Sequence, residues 1–231
     1  MGTNRVISSI VTAAVATAVM FGAAACQPAR PVLVVGDSLL FYSQPQHDQM
    51  WGRHQAAATW VGGPGQSPIN RSSTWRADIA RTVNTLDPAV VVYEACCNYA
   101  NGSDDELLPG VARDSDAMFT AWETAVRADL GAAHARGATV WLVKSPPPVP
   151  GSLYDYFGFG TRVRRINTIY DRIAADTSWV RLVDWSSWFS VNGTPVTTHP
   201  FFGRLRTPDG LHFQDGGHPL SVAVLEHAVY P

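Results

Sequence analysis

The chain has 231 residues, 46% of them hydrophobic and 16% charged, enough to bury the core of a single domain. Its formal net charge is −2 and no basic stretch is interleaved with aromatics, which argues against a nucleic-acid partner. Neither C-x-x-C nor H-x-x-x-H spacing occurs, so no metal site is expected, and nothing after residue 26 approaches the length of a membrane span.

The first element in chain order is a targeting segment. Arg5 precedes an uncharged stretch from Val6 to Phe21 that ends in Gly22-Ala23-Ala24-Ala25-Cys26. A basic start, an apolar middle and small residues at the end describe a secretory signal. Residues 1–25 are therefore expected to be removed, and residues 26–231 to form one exported, monomeric domain. Ala23 and Ala25 satisfy an A-x-A cleavage site. The same residues with Cys26 resemble the lipobox of bacterial lipoproteins, which would leave a lipidated Cys26 anchored at the outer face of the membrane. The lipobox reading is preferred, because a lone cysteine at a cleavage point otherwise needs another partner. For Cys96 and Cys97 in an oxidising compartment, a vicinal disulfide, two free thiols, or one pairing with Cys26 stay open.

Five short apolar runs follow: Val32–Val35, Ala58–Val61, Ala89–Tyr93, Ala138–Val143 and Val180–Val183. Runs this short and uniform suit strands covered on both faces. Helix-like segments separate them, at Thr74–Leu86, Ser115–Arg136 and Arg162–Asp176, and a last one covers Leu220–Val229. The alternation predicts an α/β fold: a three-layer α/β/α sandwich around a central, mostly parallel, five-stranded sheet.

Ligands of such sheets bind beyond the carboxyl ends of the strands. Gly36-Asp37-Ser38 follows the first run and Gly62-Gly63-Pro64-Gly65-Gln66-Ser67 the second. Asn98 comes shortly after the third, and Asp209-Gly210-Leu211-His212 lies well beyond the fifth. Acyl transfer from an ester needs a nucleophile, a base, a group that orients the base, and donors for the oxyanion. Ser38 at a helix start supplies a nucleophile whose own N–H is unpaired. Asp209 and His212, three residues apart, supply a carboxylate within reach of an imidazole. A glycine-turn N–H and the Asn98 amide would complete the oxyanion site.

The order and content of these fragments resemble the SGNH (GDSL) hydrolases, esterases and lipases with an α/β/α sandwich. The G-D-S block and the D-x-x-H block match well, and Gly65-Gln66-Ser67 best fits the second block, with Gly63 as its rival. The third block keeps Asn98 but has Cys96-Cys97 and Tyr99 where the family usually has glycine and an acid. The resemblance implies Ser38 as nucleophile, His212 as base and Asp209 as its orienting acid. It also implies Ser38, Gly65 and Asn98 as oxyanion donors, with no cofactor. The expected function is hydrolysis of acetyl or short-chain esters through an acyl-Ser38 intermediate, on a small-molecule, glycan or lipid ester. The same site could acylate an envelope glycan, or catalysis could have lapsed in an envelope-binding lipoprotein.

Several residues are better read as structural. Asp215-Gly216-Gly217-His218 is a second D-x-x-H, but Pro219 follows at once and places His218 at a helix entry. Asp37 is expected to hydrogen-bond near the nucleophile, and His47, His54, His134, His199 and His227 to lie outside the site. Tyr154–Phe159 is either a loop over the pocket or edge packing.

Overall fold

A computed structural model describes residues 30–70, 74–96 and 109–231. The segment expected to be a signal, residues 1–25, and Cys26, Cys97 and Asn98 lie outside the described residues. Five strands, β1 (Arg30–Gly36), β2 (Ala56–Gly62), β3 (Val90–Glu94), β4 (Thr139–Lys144) and β5 (Val180–Asp184), form one sheet in the order β2-β1-β3-β4-β5. Every pairing in it is parallel. Two short antiparallel hairpins stand outside it, β6 (Ser190–Val191) with β7 (Thr194–Pro195) and β8 (Thr198–His199) with β9 (Gly203–Arg204).

Alternation along the strands divides the core into two layers, as a period of two requires. Leu33, Val35, Val91, Tyr93, Val140 and Leu142 face one side. There they meet α3 (Trp75–Leu86), α4 (Asp116–His134) and α6 (Phe159–Asp176) through Trp75, Ile79, Trp122, Val126, Ile166 and Tyr170. Val32, Val34, Val92, Trp141, Val143 and Val183 face the other. That side is covered by α1 (Ser38–Phe41), α2 (Gln44–Arg53) and α8 (Gly217–Val229), with Trp185 of α7 (Trp185–Trp188). A further single-turn helix, α5 (Leu153–Tyr156), precedes α6. This is the expected three-layer sandwich. The run at β2 differs from a doubly covered strand, since Ala57 and Thr59 are exposed: β2 is a sheet edge. Among the described residues, no helix is long and apolar enough to cross a membrane.

The strand order has a functional consequence. The chain leaves β1 toward β2 on one side and enters β3 on the other, so the crevice at the topological switch point opens beyond the carboxyl ends of β1 and β3. Gly36 and Gly62 are paired in register at that edge, and Gly62 has φ +102°. A Cβ at Gly62 would stand 2.3 Å from the Gly36 carbonyl oxygen, and one at Gly36 would stand 2.6 Å from the Leu40 side chain. Only glycines let β2, β1 and the helix after β1 approach this closely.

Gly62→Ala is therefore expected to cost more than about 2 kcal/mol, because backbone strain and a backbone clash add. Gly52→Ala, on α2 with open space around it, is expected to stabilise the fold by about 0.5 kcal/mol. Urea denaturation of both variants checks the contrast.

Candidate active site

The turn after β1 is set by Asp37. Its extended backbone places it at the N-cap of α1, and its carboxylate accepts from Leu39 N–H at 2.9 Å. The same carboxylate accepts from Cys96 N–H at 2.9 Å, just past the end of β3. Asp37 is wholly buried, which is the structural, hydrogen-bonding role expected of it. Ser38 is then the first residue of α1, where helix geometry leaves its N–H without an intrahelical partner. Leu39 and Leu40 are buried in the core, so this single turn is fixed by packing and not by helical propensity.

The loop after β9 delivers the other two groups. Thr207 N–H donates to the His212 carbonyl at 2.9 Å and closes the loop. Inside it, Asp209 Oδ1 accepts from Thr207 Oγ1 (2.5 Å), Leu211 N–H (2.8 Å) and His212 N–H (3.1 Å). Asp209 Oδ2 lies 2.8 Å from His212 Nδ1, and His212 Nε2 lies 3.1 Å from Ser38 Oγ. An ionised carboxylate can only accept, so Nδ1 carries the proton and Nε2 presents its lone pair to the Ser38 hydroxyl. Burial works to raise the Asp209 carboxyl, but the hydrogen bonds from Thr207 and His212 and the two N–H groups outweigh it and hold it below the ordinary carboxylate range.

Two aromatic rings pack against the imidazole. Tyr42 and Tyr154 both meet the His212 ring edge-on, with centroids 5.5 Å away and interplanar angles of 67° and 81°. Tyr154 thus brings the start of the aromatic stretch Tyr154–Phe159 to the site, while Phe159 packs in the core. Beneath the loop, Arg206 is fully buried and donates through Nη1 to the carbonyls of Gly210 (3.3 Å) and Leu211 (3.2 Å). Burial pulls its guanidinium down to about 9, against the pull of the Asp209 charge. Val149 N–H also donates to the Gly210 carbonyl, at 2.9 Å. Nothing in the sequence pattern marks Arg206 or Val149, because their partners are backbone carbonyls.

Ser38, His212 and Asp209 are thus brought into one hydrogen-bonded line at the switch point. Gly65 is exposed with φ +79°, and its carbonyl accepts from Asn70 Nδ2 at 3.3 Å. Its rival Gly63 is buried beside the Phe41 ring, and its N–H is engaged by the Gly36 carbonyl at 2.9 Å. Asn98 falls outside the described residues. The second D-x-x-H does not reach Ser38: His218 is on α8 and its Nδ1 lies 2.8 Å from Ser43 Oγ. His47 is buried with Nδ1 on the Ser43 carbonyl, and burial pulls it down to about 4.

Two further carboxyl-side features emerge below Ser38. Cys96 is disulfide-bonded, which removes the free-thiol alternative for it; Cys26 and Cys97 lie outside the described residues. Donor atoms of Asp37, Glu94 and Cys96 lie within 4.8 Å of one another, a spacing that would suit a cation. A disulfide sulfur is not a thiolate ligand, however, and both carboxyls already accept hydrogen bonds from the protein. Glu94 was not singled out from the sequence; a carboxylate ending an otherwise apolar strand is the signal that could have marked it.

No family model matches the chain, and no curated protein does. Solved structures match over most of its length. A protein of Slackia heliotrinireducens assigned as an SGNH hydrolase has a TM-score of 0.64 at 18% identity, covering 87% of this chain and 99% of that one. A GDSL-like lipase from Bacteroides thetaiotaomicron gives 0.61 at 17% identity, covering 87% of each chain. The periplasmic domain of a lipopolysaccharide acetyltransferase from Salmonella ser. Paratyphi A gives 0.61 at 8% identity, with 88% and 84% covered. At these identities the likeness is one of fold, and the fold of this chain is that of the SGNH hydrolases and GDSL-like lipases.

Proposed function

We propose that the protein is an SGNH-type serine esterase that hydrolyses acetyl or short-chain acyl esters through an acyl-Ser38 intermediate. The observation that carries this reading is the unbroken line Asp209–His212–Ser38, with the hydroxyl of Ser38 at 3.1 Å from His212 Nε2. In the first half-reaction Nε2 takes the Ser38 proton as Oγ attacks the ester carbonyl. Asp209 keeps the imidazole in the tautomer that can accept it and stabilises the imidazolium that forms. His212 then returns the proton to the departing alkoxide, and a water activated by the same nitrogen releases the acid.

Charge on the carbonyl oxygen must be met by donors fixed in advance. Ser38 N–H at the start of α1 is one, and the expected contributions of Gly65 N–H and the Asn98 amide complete the set. Tyr42 and Tyr154 hold the imidazole against rotation away from Ser38.

The fold it shares with a periplasmic acetyltransferase domain favours a second use of the same intermediate, transfer of the acyl group to a sugar hydroxyl. The disulfide at Cys96 supports an exported location, since such bonds persist in oxidising compartments. Cleavage of residues 1–25 and a lipid on Cys26 are part of this reading.

Assays with p-nitrophenyl acetate, butyrate and longer esters test it. Ser38→Ala and His212→Ala are each expected to lower kcat by at least about 10⁴-fold, and Asp209→Asn by about 10⁴-fold. His218→Ala is expected to retain most of the activity. Unchanged turnover in Ser38→Ala, or no labelling of Ser38 by a fluorophosphonate, would sink the proposal.

Addition of a glycan acceptor separates the two uses of the acyl-enzyme. Hydrolysis predicts free acid at a rate indifferent to the acceptor. Transfer predicts acylated sugar at the expense of free acid, read by mass spectrometry.

A further inference from the structure

The described residues carry a polar network directly beneath the nucleophile that the esterase reading does not use. Asp37, Glu94 and Ser145 are all fully buried. Glu94, the last residue of β3, accepts from Ser145 Oγ–H at 2.5 Å and from Asp37 N–H at 3.3 Å. A carboxyl oxygen of Glu94 also lies within 4.8 Å of one of Asp37. Asn167 of α6 donates to the Ser145 carbonyl at 2.8 Å, and Tyr170 Oη–H donates to the Ala95 carbonyl at 2.7 Å. The ends of β3 and β4 are thereby tied to α6 on one side and to the α1 turn on the other.

Two fully buried carboxyl groups this close do not both ionise, because like charges repel strongly where water cannot screen them. The backbone identifies which one carries the charge. Asp37 accepts two N–H groups at 2.9 Å, whereas Glu94 accepts one hydroxyl and one longer N–H. We infer that Glu94 is a positioning residue that stays protonated and donates to the Asp37 carboxylate, locking α1 and Ser38 to the end of β3. Burial and the neighbouring Asp37 charge push Glu94 well above its ordinary value. Burial raises Asp37 as well, and the N–H groups of Leu39 and Cys96 act against that rise. His212 and Tyr170 are the other titratable groups that interact with this charge. A single negative charge held below Ser38 adds to the stabilisation of the His212 imidazolium during turnover.

This inference rests on the esterase reading for its rate effects, but one readout is independent of activity. Infrared spectra at about pH 8 are taken where ordinary carboxyls are ionised, and Asp129, pushed up to about 6 by burial, is ionised as well. A protonated carboxylic-acid band is expected in the full-length protein and is expected to vanish in Glu94→Gln. That variant keeps a donor for Asp37 and an acceptor for Ser145, so kcat is expected within about threefold of the parent. Glu94→Ala and Asp37→Asn, which leave buried partners unpaired, are expected to lose about 10- to 100-fold in kcat. Absence of the acid band, or a Glu94→Gln loss as large as that of Glu94→Ala, overturns the inference. Should Glu94→Ala not fold, the band and a Glu94→Gln activity within the threefold range still decide it. Retained activity in Ser38→Ala would instead remove the esterase reading and leave the acid band standing.

Discussion

The buried Asp37 carboxylate is the contact on which the site depends. It spans from the first turn of α1, through Leu39 N–H, to the chain beyond β3, through Cys96 N–H. The two strands it connects are the ones between which the crevice opens. A helix of four residues has no stability of its own. Ser38 keeps its position because Asp37 caps the turn while Leu39 and Leu40 are seated in the core below. The loop with Asp209 and His212 is over-determined in the same way, by Thr207 within it and by Arg206 and Val149 beneath it. Each side of the hydrogen-bonded line is thus fixed by its own local scaffold.

The strands and the main helices were legible because their signals are local. Apolar runs of four to six residues have few alternatives to a buried parallel sheet, and the observed strands fall on all five of them. Helix α2 was not anticipated. Its sequence buries only His47, Met50 and Trp51, and Pro45 near its start reads as a turn signal when the fold is unknown. The hairpins β6–β7 and β8–β9 are two-residue strands, too short for any alternation to show. The exposure of one face of β2 follows from its place at the sheet edge, which is a property of topology and not of its residues.

The site divides along the same boundary. Ser38, Asp209 and His212 could be named because each lies in a compact fragment whose neighbours explain it, a strand-to-helix turn or a three-residue carboxylate–imidazole spacing. The Glu94–Asp37–Ser145 connection bridges segments 57 and 51 residues apart, and no local pattern announces it. Arg206 works on carbonyl groups, which every residue possesses, so only the folded chain reveals its target. The glycine turn was readable as a turn, yet which N–H it leaves free depends on the Gly36 carbonyl that engages Gly63.

The direction of β1 also sets how the protein would stand on a surface. The strand runs from Arg30 at one end of the sheet to Gly36 at the other, about 20 Å away, and Ser38 lies just beyond that far end. Cys26 is only four residues before Arg30, a reach of about 14 Å at full extension. A lipid tether at that cysteine would therefore hold the amino ends of the strands toward the bilayer and turn the mouth of the crevice outward.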